Sequence, residues 1–424
     1  MSIFKEIIHD TSRILTYVVY VITIYYLCIS FFGIWRKKEE VKAKPKKSFA
    51  LIIAAHNEEV VIEGIVESLK RLDYPKHLYD IFVIADNCTD KTALKARKKG
   101  AIVYERTNRE KRGKGYALEW MFDKVFSMDK EYDAIAIFDA DNLAHKNFLK
   151  EMNGKLCQGY KVVQGYLDSK NPEDTWITGS YSISFWTCNR MFQLSRSNVG
   201  LSSQLGGTGF CIDTEILEQL GWGATCLTED LEFTCKLVLH GYRVGWAHDA
   251  IIYDEKPLTL SQSWWQRKRW MQGFADVSSR YFFKLLKRAI FKCSFTALDC
   301  ALYSIQPVVA ILIGISAITG LVQYWMKASN LISNFNTIIY SIDFNLFTII
   351  AIIFSILQFI YTPFILILEK KLNLKIFLYY IIYPFYSITW FPISIQGIID
   401  RNKKEWSHTV HTRSVKINDL EKAN

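Results

Sequence analysis

Four long hydrophobic runs without a charged side chain set the outline of the 424-residue chain. The runs are Ile14–Trp35, Cys300–Met326, Phe344–Leu368 and Ile376–Ile399. Each contains 22 to 27 residues, enough for a helix to cross a hydrocarbon layer about 30 Å thick. The pattern therefore predicts membrane-spanning helices on either side of a central block. The first run is longer than the apolar part of a signal peptide, and a basic segment follows it where a cleavage site would lie.

Within the central block, short apolar runs alternate with segments of helical periodicity. The short runs are rich in β-branched residues, as buried strands of a parallel sheet are. They predict strands at Phe49–Ala55, Asp80–Ala85, Ala101–Tyr104 and Ala134–Phe138. The segments between them predict helices at Glu58–Arg71, Asp90–Lys99 and Tyr116–Phe126. This alternation predicts an α/β domain with a Rossmann-like, mostly parallel sheet, and such sheets bind ligands at the carboxyl ends of their strands.

A segment of different composition follows the predicted sheet. Residues Leu260–Arg288 are rich in Trp, Phe, Lys and Arg, which is typical of an amphipathic helix in the membrane interface. A solvated helix packed on the central domain is the alternative. The expected domains are an N-terminal transmembrane segment (1–36), a basic linker (37–48), the central domain (49–257), interfacial helices (258–295), a C-terminal transmembrane region (296–400) and a basic tail (401–424).

The positive net charge of +10 is concentrated beside the long apolar runs. The basic residues there are Arg36, Lys37, Lys38, Lys42, Lys44, Lys46, Lys47, Arg401, Lys403 and Lys404. This placement is typical of the cytoplasmic side of membrane proteins and of contact with anionic lipids, and it argues against nucleic acid as a partner. The nine cysteines include no Cys-x-x-Cys pair, as expected of reduced thiols. The sequence thus predicts a multi-pass plasma-membrane protein with a cytoplasmic central domain.

Polar clusters follow three of the predicted strands. They are His56-Asn57-Glu58-Glu59, Asp86-Asn87-Cys88-Thr89-Asp90 and Asp139-Ala140-Asp141-Asn142. We expect Asp90 to cap the helix that follows it. Two carboxylates such as Asp139 and Asp141 suit Mg²⁺ or Mn²⁺ beside a diphosphate. An Asp-x-Asp pair alone occurs about once by chance in a chain of this length, so its position after a strand is what makes it a candidate metal site.

Three later motifs contain residues suited to phosphate or sugar. They are Gly206-Gly207-Thr208-Gly209, Thr228-Glu229-Asp230 and Gln266-x-x-Arg269-Trp270. We expect Thr228 to cap the helix that begins with the two acids. In the last motif, one helix face would carry an amide and a guanidinium able to hold a diphosphate, and an indole able to stack on a sugar. A basic interfacial helix is the alternative interpretation of that motif.

Other nucleotide chemistries are not indicated by the glycine-rich segments. The segment Arg112-Gly113-Lys114-Gly115 lacks the spacing of a P-loop. The chain also contains no Gly-x-Gly-x-x-Gly. ATP and dinucleotide chemistry are therefore not expected.

Taken together, the motifs resemble those of the membrane-bound family-2 glycosyltransferases. The resemblance is carried by Asp86, Asp139/Asp141, Thr228-Glu229-Asp230 and Gln266-x-x-Arg269-Trp270, in that order and flanked by apolar runs. Cellulose, hyaluronan, chitin and poly-N-acetylglucosamine synthases belong to that family. The motifs cover about Phe49–Gly273. The resemblance implies a GT-A type, nucleotide-sugar-binding fold and a metal-dependent, inverting transfer of glucose or N-acetylglucosamine from a UDP-sugar to a β-linked polysaccharide.

The resemblance also implies roles for individual residues. Donor binding would involve Asn57, Glu58, Asp86, Lys114, Asp139, Gln266 and Arg269. Of these, Asp86 would contact the uracil or ribose, and Gln266 and Arg269 would hold the pyrophosphate. The metal, Mg²⁺ or Mn²⁺, would lie at Asp139 and Asp141. Asp230 would be the general base, with Glu229 beside it, and the acceptor would contact Trp270, Gly207 and Thr208.

Three functions remain open at the level of sequence. The first is a processive polysaccharide synthase that exports its product through its own spans, with accessory export or regulatory subunits as further partners. The second is a single sugar transfer to a membrane lipid, as in enzymes like ceramide glucosyltransferase, which share these motifs. The third, a non-catalytic channel, would explain the apolar runs but not three clusters of carboxylates at strand ends.

The C-terminal region gives conflicting signals about its side of the membrane. Three apolar runs after a cytoplasmic domain would place the tail outside, whereas its basic residues favour the cytoplasm. Pro384 and Pro392 interrupt the last run, as in a re-entrant segment. We therefore predict a cytoplasmic tail. Its segment Trp406–His411 loosely resembles the gating loops of these synthases.

Overall fold

The computed structural model describes residues 2–36, 43–331 and 359–403, together with residues 413, 415, 417, 419 and 420. Its centre is an eight-stranded sheet with the order β3-β2-β1-β4-β7-β6-β8-β5. The strands are β1 (Phe49–Ala55), β2 (Tyr79–Asp86), β3 (Ile102–Arg106), β4 (Ala134–Asp139), β5 (Leu143–Ala144), β6 (Val162–Ser169), β7 (Phe210–Asp213) and β8 (Val244–Asp254). The four strands predicted from sequence are β1 to β4, with bounds within two residues of the prediction.

The helices of the described chain begin with an apolar helix and return to apolar helices after the sheet. They are α1 (Ser2–Phe31), α2 (Ile62–Lys70), α3 (Thr92–Lys98), α4 (Lys114–Phe126), α5 (Phe148–Cys157), α6 (Trp176–Cys188), α7 (Ser195–Asn198), α8 (Thr214–Leu220), α9 (Glu229–Leu239), α10 (Leu260–Phe291), α11 (Phe295–Ser304), α12 (Gln306–Leu331), α13 (Phe359–Leu368), α14 (Leu374–Ile388) and α15 (Trp390–Ile399). A π-helical stretch, Asn189–Leu194, joins α6 to α7.

The sheet is mixed, which corrects the expectation of a mostly parallel one. Strands β3, β2, β1 and β4 are parallel neighbours, as the strand–helix alternation predicts. Strand β7 runs antiparallel to both β4 and β6, and β5 runs antiparallel to β8. These later strands are short or separated by long insertions. The strand–helix alternation therefore does not extend to them and does not predict their direction.

Helices cover both faces of the sheet and bury two hydrophobic cores. Because side chains alternate along a strand, Leu51 and Ile53 of β1 point into one core and Ala50 and Ile52 into the other. All four are fully buried. Such burial contributes about 1.5–3 kcal/mol for each large aliphatic side chain. The carboxyl ends of β1, β2 and β4 are thereby fixed side by side.

Buried ion pairs attach the apolar helices to the α/β domain. Arg190 in the π-helical stretch pairs with Glu369 at the end of α13, with 2.6 Å between nitrogen and oxygen. Arg196 of α7 pairs with Asp299 of α11 at 2.8 Å, and Tyr25 of α1 donates to the same carboxylate. Removing one partner of such a pair would leave a buried charge uncompensated. The apolar helices are therefore part of the fold.

The apolar helices confirm only part of the expected membrane region. Among the described residues, Leu374–Ile399 is long and apolar enough to cross a membrane. The pair Phe295–Ser304 and Gln306–Val322, bent by 64°, is a second candidate if it forms one span. Tyr17–Phe31 and Phe359–Leu368 are shorter apolar helices. Most of the predicted Phe344–Leu368 run lies outside the described residues, so the multi-pass arrangement stays a prediction.

Helix α10 is a single helix of 32 residues. It lies between α9 and α15, and Trp264 donates to Gln396 of α15 at 2.9 Å. Lys268 of α10 pairs with Asp400 at 2.5 Å. Trp265 and Phe283 remain largely exposed. The helix therefore packs on its neighbours, as the alternative of a helix packed on the central domain predicts, and part of its exposed surface is apolar. Its location in a membrane interface stays a prediction.

The described part of the tail lies against the α/β domain. Ile417 is buried and packs on Leu143 of β5 and Tyr253 of β8. The backbone N–H of Arg413 donates to Glu255 at 3.2 Å. The tail and the α/β domain are therefore on the same side of any membrane, so a chain that crosses between them must cross an even number of times. The Trp406–His411 segment lies outside the described residues.

Candidate active site

The loops that follow β1 and β2 are bonded to each other at the carboxyl edge of the sheet. His56 Nδ1 is 2.7 Å from the carbonyl oxygen of Asp86, and Asn57 Oδ1 accepts the backbone N–H of Thr89 at 2.8 Å. Asn57 and Asn87 have φ angles of 56° and 51°, in the left-handed region that Asn tolerates better than most residues. The first two polar clusters thus meet at the edge where such a sheet is expected to bind its ligands.

Two other residues of these clusters support the loops. The backbone N–H of Glu58 donates to Thr92 Oγ1 at 2.8 Å, and the Glu58 side chain is buried. Asp90 Oδ1 accepts the N–H of Thr92 at 2.9 Å, at the start of α3. The Asp90 side chain thus accepts the first N–H of α3, as expected of a cap, but the N-cap position itself belongs to Lys91, which makes no side-chain capping hydrogen bond.

Asp86 is buried in an ion pair that the sequence did not indicate. Arg106 Nη1, at the end of β3, lies 2.5 Å from Asp86 Oδ1, and Asn87 Nδ2 donates to the same oxygen at 3.0 Å. Arg106 Nη2 also donates to the carbonyl oxygen of Lys111 at 2.7 Å. Arg106 therefore fixes the Asp86 carboxylate. A basic residue at the end of a predicted neighbouring strand was the available signal.

The end of β4 is tied to Lys114 and to the glycine-rich loop. Lys114 Nζ donates to Asp139 Oδ1 and, at 2.5 Å, to the carbonyl oxygen of Gly207. The backbone N–H of Asp139 donates to Thr208 Oγ1 at 3.0 Å, and Thr208 in turn donates to Asn142 Oδ1. Thr208 is buried, and its hydroxyl holds the turn after β4. Its predicted contact with an acceptor stays a prediction.

Asp141 is oriented by a residue more than a hundred positions away. Its Oδ2 accepts the backbone N–H of Glu255 at 2.9 Å, and its Oδ1 accepts from Asn142 Nδ2 at 3.3 Å. Neighbouring Asp254 forms an ion pair with Lys256 at 2.6 Å, and burial raises the pKa of Asp254 to about 6. Sequence reasoning missed these residues because it did not identify β8, whose end they follow.

The donor atoms at the end of β4 fit a hard divalent cation. In the described chain, no three or more His, Cys, Asp or Glu side chains are grouped to hold a metal. The predicted site needs only two carboxylates, with phosphate and water completing the shell, as Mg²⁺ sites beside nucleotides commonly have. The Asp139 side chain is 39% exposed, and the Asp141 carboxylate is held in one orientation by Glu255. The two carboxylates therefore suit the cation in the type of their donor atoms and in their position at the edge of the sheet.

Glu229 and Asp230 open α9 and face the same cluster. Glu229 is buried and Asp230 is partly buried, and removal from water is the main cause that raises the pKa of each carboxyl group above its ordinary value. The nearby Lys114 ammonium lowers both pKa values, and Asp139 raises them. Asp230 Oδ2 lies 3.5 Å from where a Cβ would stand on Gly207, whose φ is 81°. The glycine therefore leaves open space beside this oxygen.

Thr228 does not cap α9 through its side chain, which corrects the sequence prediction. It occupies the N-cap position without a side-chain capping hydrogen bond. The Thr228 side chain instead packs against Gly273 of α10, where an added Cβ would lie 2.4 Å from Oγ1 and Cγ2. The helix that begins with the two acids is thereby in direct contact with α10.

Helix α10 brings the third predicted motif to the cluster. Arg269 lies within electrostatic reach of Glu229, Asp139 and Asp230. Gln266 Oε1 is buried and accepts no hydrogen bond from the described residues. The Trp270 ring lies 6.1 Å from the ring of Tyr181. The three residues thus lie in one helix, and the guanidinium lies near the acids while the indole packs on the buried ring of Tyr181.

The close contact at Gly273 leads to a testable expectation. Gly273→Ala would push α10 away from Thr228, because a β-branched side chain cannot rotate away from the added methyl group. We expect a loss of about 1–3 kcal/mol in the free energy of unfolding and a lower kcat for sugar transfer, because Arg269 and Asp230 would move apart. Thermal unfolding and steady-state kinetics measure the two effects.

Gly320→Ala in α12 is the matched control, because a Cβ there would meet no atom within 4 Å. This control should be neutral or slightly stabilising. A Gly273→Ala protein with unchanged kcat and thermal stability would contradict the packing of α10 on Thr228.

The chain resembles known proteins in sequence. A family model described as "Glycosyltransferase like family 2" matches residues 45–273, which is more than half of the chain. The chain is 31% identical over 268 residues to the "Probable glycosyltransferase YdaM" of Bacillus subtilis, covering 60% of this chain and 62% of that protein.

Two further relatives carry names with different products. A "Beta-monoglucosyldiacylglycerol synthase" of Synechocystis is 28% identical over 243 residues, covering 54% of this chain and 48% of that protein. A "Poly-beta-1,6-N-acetyl-D-glucosamine synthase" of Staphylococcus aureus is 26% identical over 258 residues, covering 59% and 60%. The chain thus matches less than two thirds of the length of each of these relatives.

One solved structure resembles nearly the whole chain. It is a mannosyltransferase of Pyrobaculum calidifontis in complex with GDP-Man and Mn²⁺, with a TM-score of 0.60. The match covers 93% of this chain and 99% of that one at 15% sequence identity. At this identity the likeness shows a shared fold, in which the α/β domain and the apolar helices are both included.

Proposed function

Since the chain belongs to glycosyltransferase-like family 2, we propose that it transfers a sugar from a UDP-sugar to an acceptor hydroxyl with inversion at the anomeric carbon. The observation that carries the proposal is the grouping of Lys114 and Arg269 with Asp139 and the Glu229-Asp230 pair. The two cations would stabilise the charge of a diphosphate, and the partly buried Asp230 carboxylate would remove the acceptor proton.

In the proposed reaction the acceptor oxygen attacks the anomeric carbon while the bond from that carbon to the UDP oxygen breaks. Asp230 takes the proton of the attacking hydroxyl, and its raised pKa makes it a stronger base than an exposed aspartate. Arg269 and Gln266 would hold the diphosphate as its negative charge increases. One displacement inverts the configuration, so an α-linked donor gives a β-linked product.

The remaining donor residues would position the nucleotide. Asp86, fixed by Arg106, would face the uridine, with Asn57 and Glu58 in the neighbouring loop. Asp139 and Asp141 would hold Mg²⁺ or Mn²⁺, which, when bound, offsets charge on the diphosphate. Lys114 would keep the Asp139 carboxylate in place.

We place the reaction at the cytoplasmic face of the plasma membrane. The apolar helices expose large side chains that no described residue covers: Leu374 is 77%, Phe385 69% and Ile399 73% exposed. An apolar surface of this kind is suited to lipid rather than water. The basic residues beside these helices fit the cytoplasmic side.

A growing β-linked polysaccharide is our first candidate acceptor. Aromatic rings continue from the Trp270 indole to Tyr181 and from Tyr181 to Tyr386 of α14, with centroids 6.1 and 5.5 Å apart. Tyr181 and Tyr386 are each only 1% exposed, so they hold the partly buried indole of Trp270 in place, and that indole suits the apolar face of a sugar unit. The Staphylococcus aureus relative is named for such a polymer.

A membrane lipid is the second candidate acceptor. The relative from Synechocystis is named for a glucosyl-lipid product, and its identity to this chain is slightly above that of the polysaccharide synthase. Helix α10, which carries Arg269, packs directly on the apolar helix α15. A lipid hydroxyl could therefore approach the site along the same helices. Because the chain belongs to a glycosyltransferase family, a non-catalytic channel is excluded.

The size of the product distinguishes the two acceptors. The full-length protein in lipid nanodiscs would be given radiolabelled UDP-glucose or UDP-N-acetylglucosamine with Mg²⁺ or Mn²⁺. We expect product of high molecular weight that stays in the aqueous phase, and we expect EDTA to stop its formation. Label in short, organic-extractable product would instead identify a lipid acceptor. No transfer from any nucleotide sugar tested would overturn the proposed function, and transfer undiminished by EDTA would overturn its metal dependence.

A further inference from the structure

A groove separate from the site described above lies between α10, α15 and the break between α11 and α12. Its volume is about 220 Å³, smaller than the ~300–1,000 Å³ typical of pockets for whole drug-sized ligands. Its walls are largely apolar and include Phe282, Phe283, Pro307, Val308 and Ile398. These dimensions suit a segment of an alkyl chain better than a whole sugar or nucleotide.

The groove lies where the candidate membrane helices meet the polar end of the molecule. Ile398 is next to the last residue of the apolar helix Leu374–Ile399, and Arg401 follows it within three positions. On the opposite wall, Ile305 and Pro307 stand at the 64° bend between the two apolar helices. A basic residue just beyond an apolar helix is typical of the headgroup level of a bilayer. The groove thus has an apolar end and a charged end.

Arg401 supplies the charge at the mouth of the groove. It is exposed, and no ion pair of its side chain with a described residue is present. The neighbouring carboxylate of Asp400 is already paired with Lys268 at 2.5 Å and with Lys403 at 2.9 Å. On α10, Asp276 is paired with Arg280 at 3.0 Å. The guanidinium at the mouth is therefore the charge that remains for a ligand.

We propose that this groove binds one anionic phospholipid, with its phosphate at Arg401 and part of an acyl chain along Phe282, Val308 and Ile398. Charge complementarity selects the headgroup, because Arg binds phosphate through paired N–H donors. The apolar walls select the chain. The proposal rests on the membrane location given under the proposed function, and it assigns a ligand to a surface outside the donor and acceptor sites.

A lipid in this groove would stabilise the position of α10, the helix that carries the predicted donor-binding motif. Phe282 and Ala275 line the groove on α10, and Arg269 lies on the same helix, less than two turns before Ala275. The other walls belong to α12 and α15. A bound lipid would therefore hold α10 against both apolar helices while Arg269, less than two turns away, holds the diphosphate.

Lipid retention measured by native mass spectrometry tests the proposal. The full-length protein would be taken from nanodiscs that contain equal amounts of phosphatidylglycerol and phosphatidylcholine. We expect one phosphatidylglycerol to remain bound in preference to phosphatidylcholine. Arg401→Gln should lower that preference about fivefold, as expected for one basic residue at an anionic lipid. Val308→Trp, at an exposed position on the rim, should reduce retention of both lipids by filling the groove.

Lys98→Gln is the matched control, because Lys98 is an exposed cation on α3, a helix that packs on α2, β2 and β3. It should leave retention unchanged. Equal retention of the two lipids by the wild-type protein, or an unchanged preference in Arg401→Gln, would overturn the proposal. Competition by soluble glycerol phosphate as strong as that by the lipid would also overturn it, since the acyl chain would then contribute nothing.

Failure of this inference can be distinguished from failure of the proposed function. Retention does not depend on catalysis, so a protein that retains phosphatidylglycerol but transfers no sugar would refute the function and keep the lipid site. Sugar transfer without lipid preference would refute the lipid site and keep the function. A protein that does not float with vesicles of either lipid would refute the membrane location and the lipid site together.

Discussion

Asp230→Asn should reduce sugar transfer by about 10²–10⁴-fold, the range that a general base contributes. The amide keeps the size of the side chain but cannot accept the proton of the acceptor hydroxyl at neutral pH. Because Asp230 is assigned no contact with the nucleotide, UDP affinity should change little. Initial rates with saturating UDP-sugar and UDP binding by calorimetry measure the two quantities separately.

Glu229→Gln is the informative comparison, because Glu229 also has a raised pKa and is more deeply buried than Asp230. Asp230 is the carboxylate next to the open space at Gly207, which is why we assign it as the base. An active Asp230→Asn enzyme together with an inactive Glu229→Gln enzyme would reverse the assignment. Asp276→Asn, on α10 and paired only with Arg280 among the described contacts, controls for loss of a carboxylate in general.

The sequence predicted those features of the site that depend on local order. Strand β1 and strand β4 are continuous apolar segments, so the pattern of apolar positions alone locates their ends and the clusters at Asn57 and Asp139. The spacing of Gln266, Arg269 and Trp270 likewise fixes one helix face. These features need only the period of a strand or helix and the rule that parallel strands end at one edge.

Features that depend on distant parts of the chain could not be predicted. The hydrogen bond from Glu255 to Asp141 and the antiparallel insertion of β7 both join segments that no local period relates. The capping role expected of Thr228 fails for the same reason: its side chain packs on Gly273 instead, and tertiary packing replaces a local hydrogen bond.

Lys114→Gln should shift the pH dependence of catalysis as well as reduce the rate. The Lys114 ammonium lowers the pKa of Asp230, which burial otherwise raises, with a net value of about 6. Because the base must be deprotonated, wild-type kcat/KM should rise with pH through that region. Without the cation the carboxylate is harder to ionise, so the rise should move to higher pH. The rate at neutral pH should also fall, because Asp139 loses its partner.

The pH profile separates this electrostatic effect from a structural one. A variant that merely distorts the site would lower kcat/KM at every pH without moving the rise. Lys124→Gln, an exposed cation on the same helix α4, is the matched control and should keep the wild-type profile. An unchanged pH profile in Lys114→Gln would show that Lys114 does not act on the base, and Asp230 would then have to be ionised by other groups.

The pH dependence of the melting temperature is a second property that Lys114→Gln should change. Carboxyl groups whose folded-state pKa is raised stabilise the protein fully below their unfolded pKa, and this stabilisation is lost as pH rises through the folded pKa. Removing the Lys114 ammonium raises the folded-state pKa of Glu229 and Asp230 further. The melting temperature of Lys114→Gln should therefore fall more steeply than that of the wild type between about pH 5 and pH 8, roughly the range in which buried carboxyl groups ionise. Parallel melting curves for the two proteins across that range would contradict the coupling between the ammonium and the two acids.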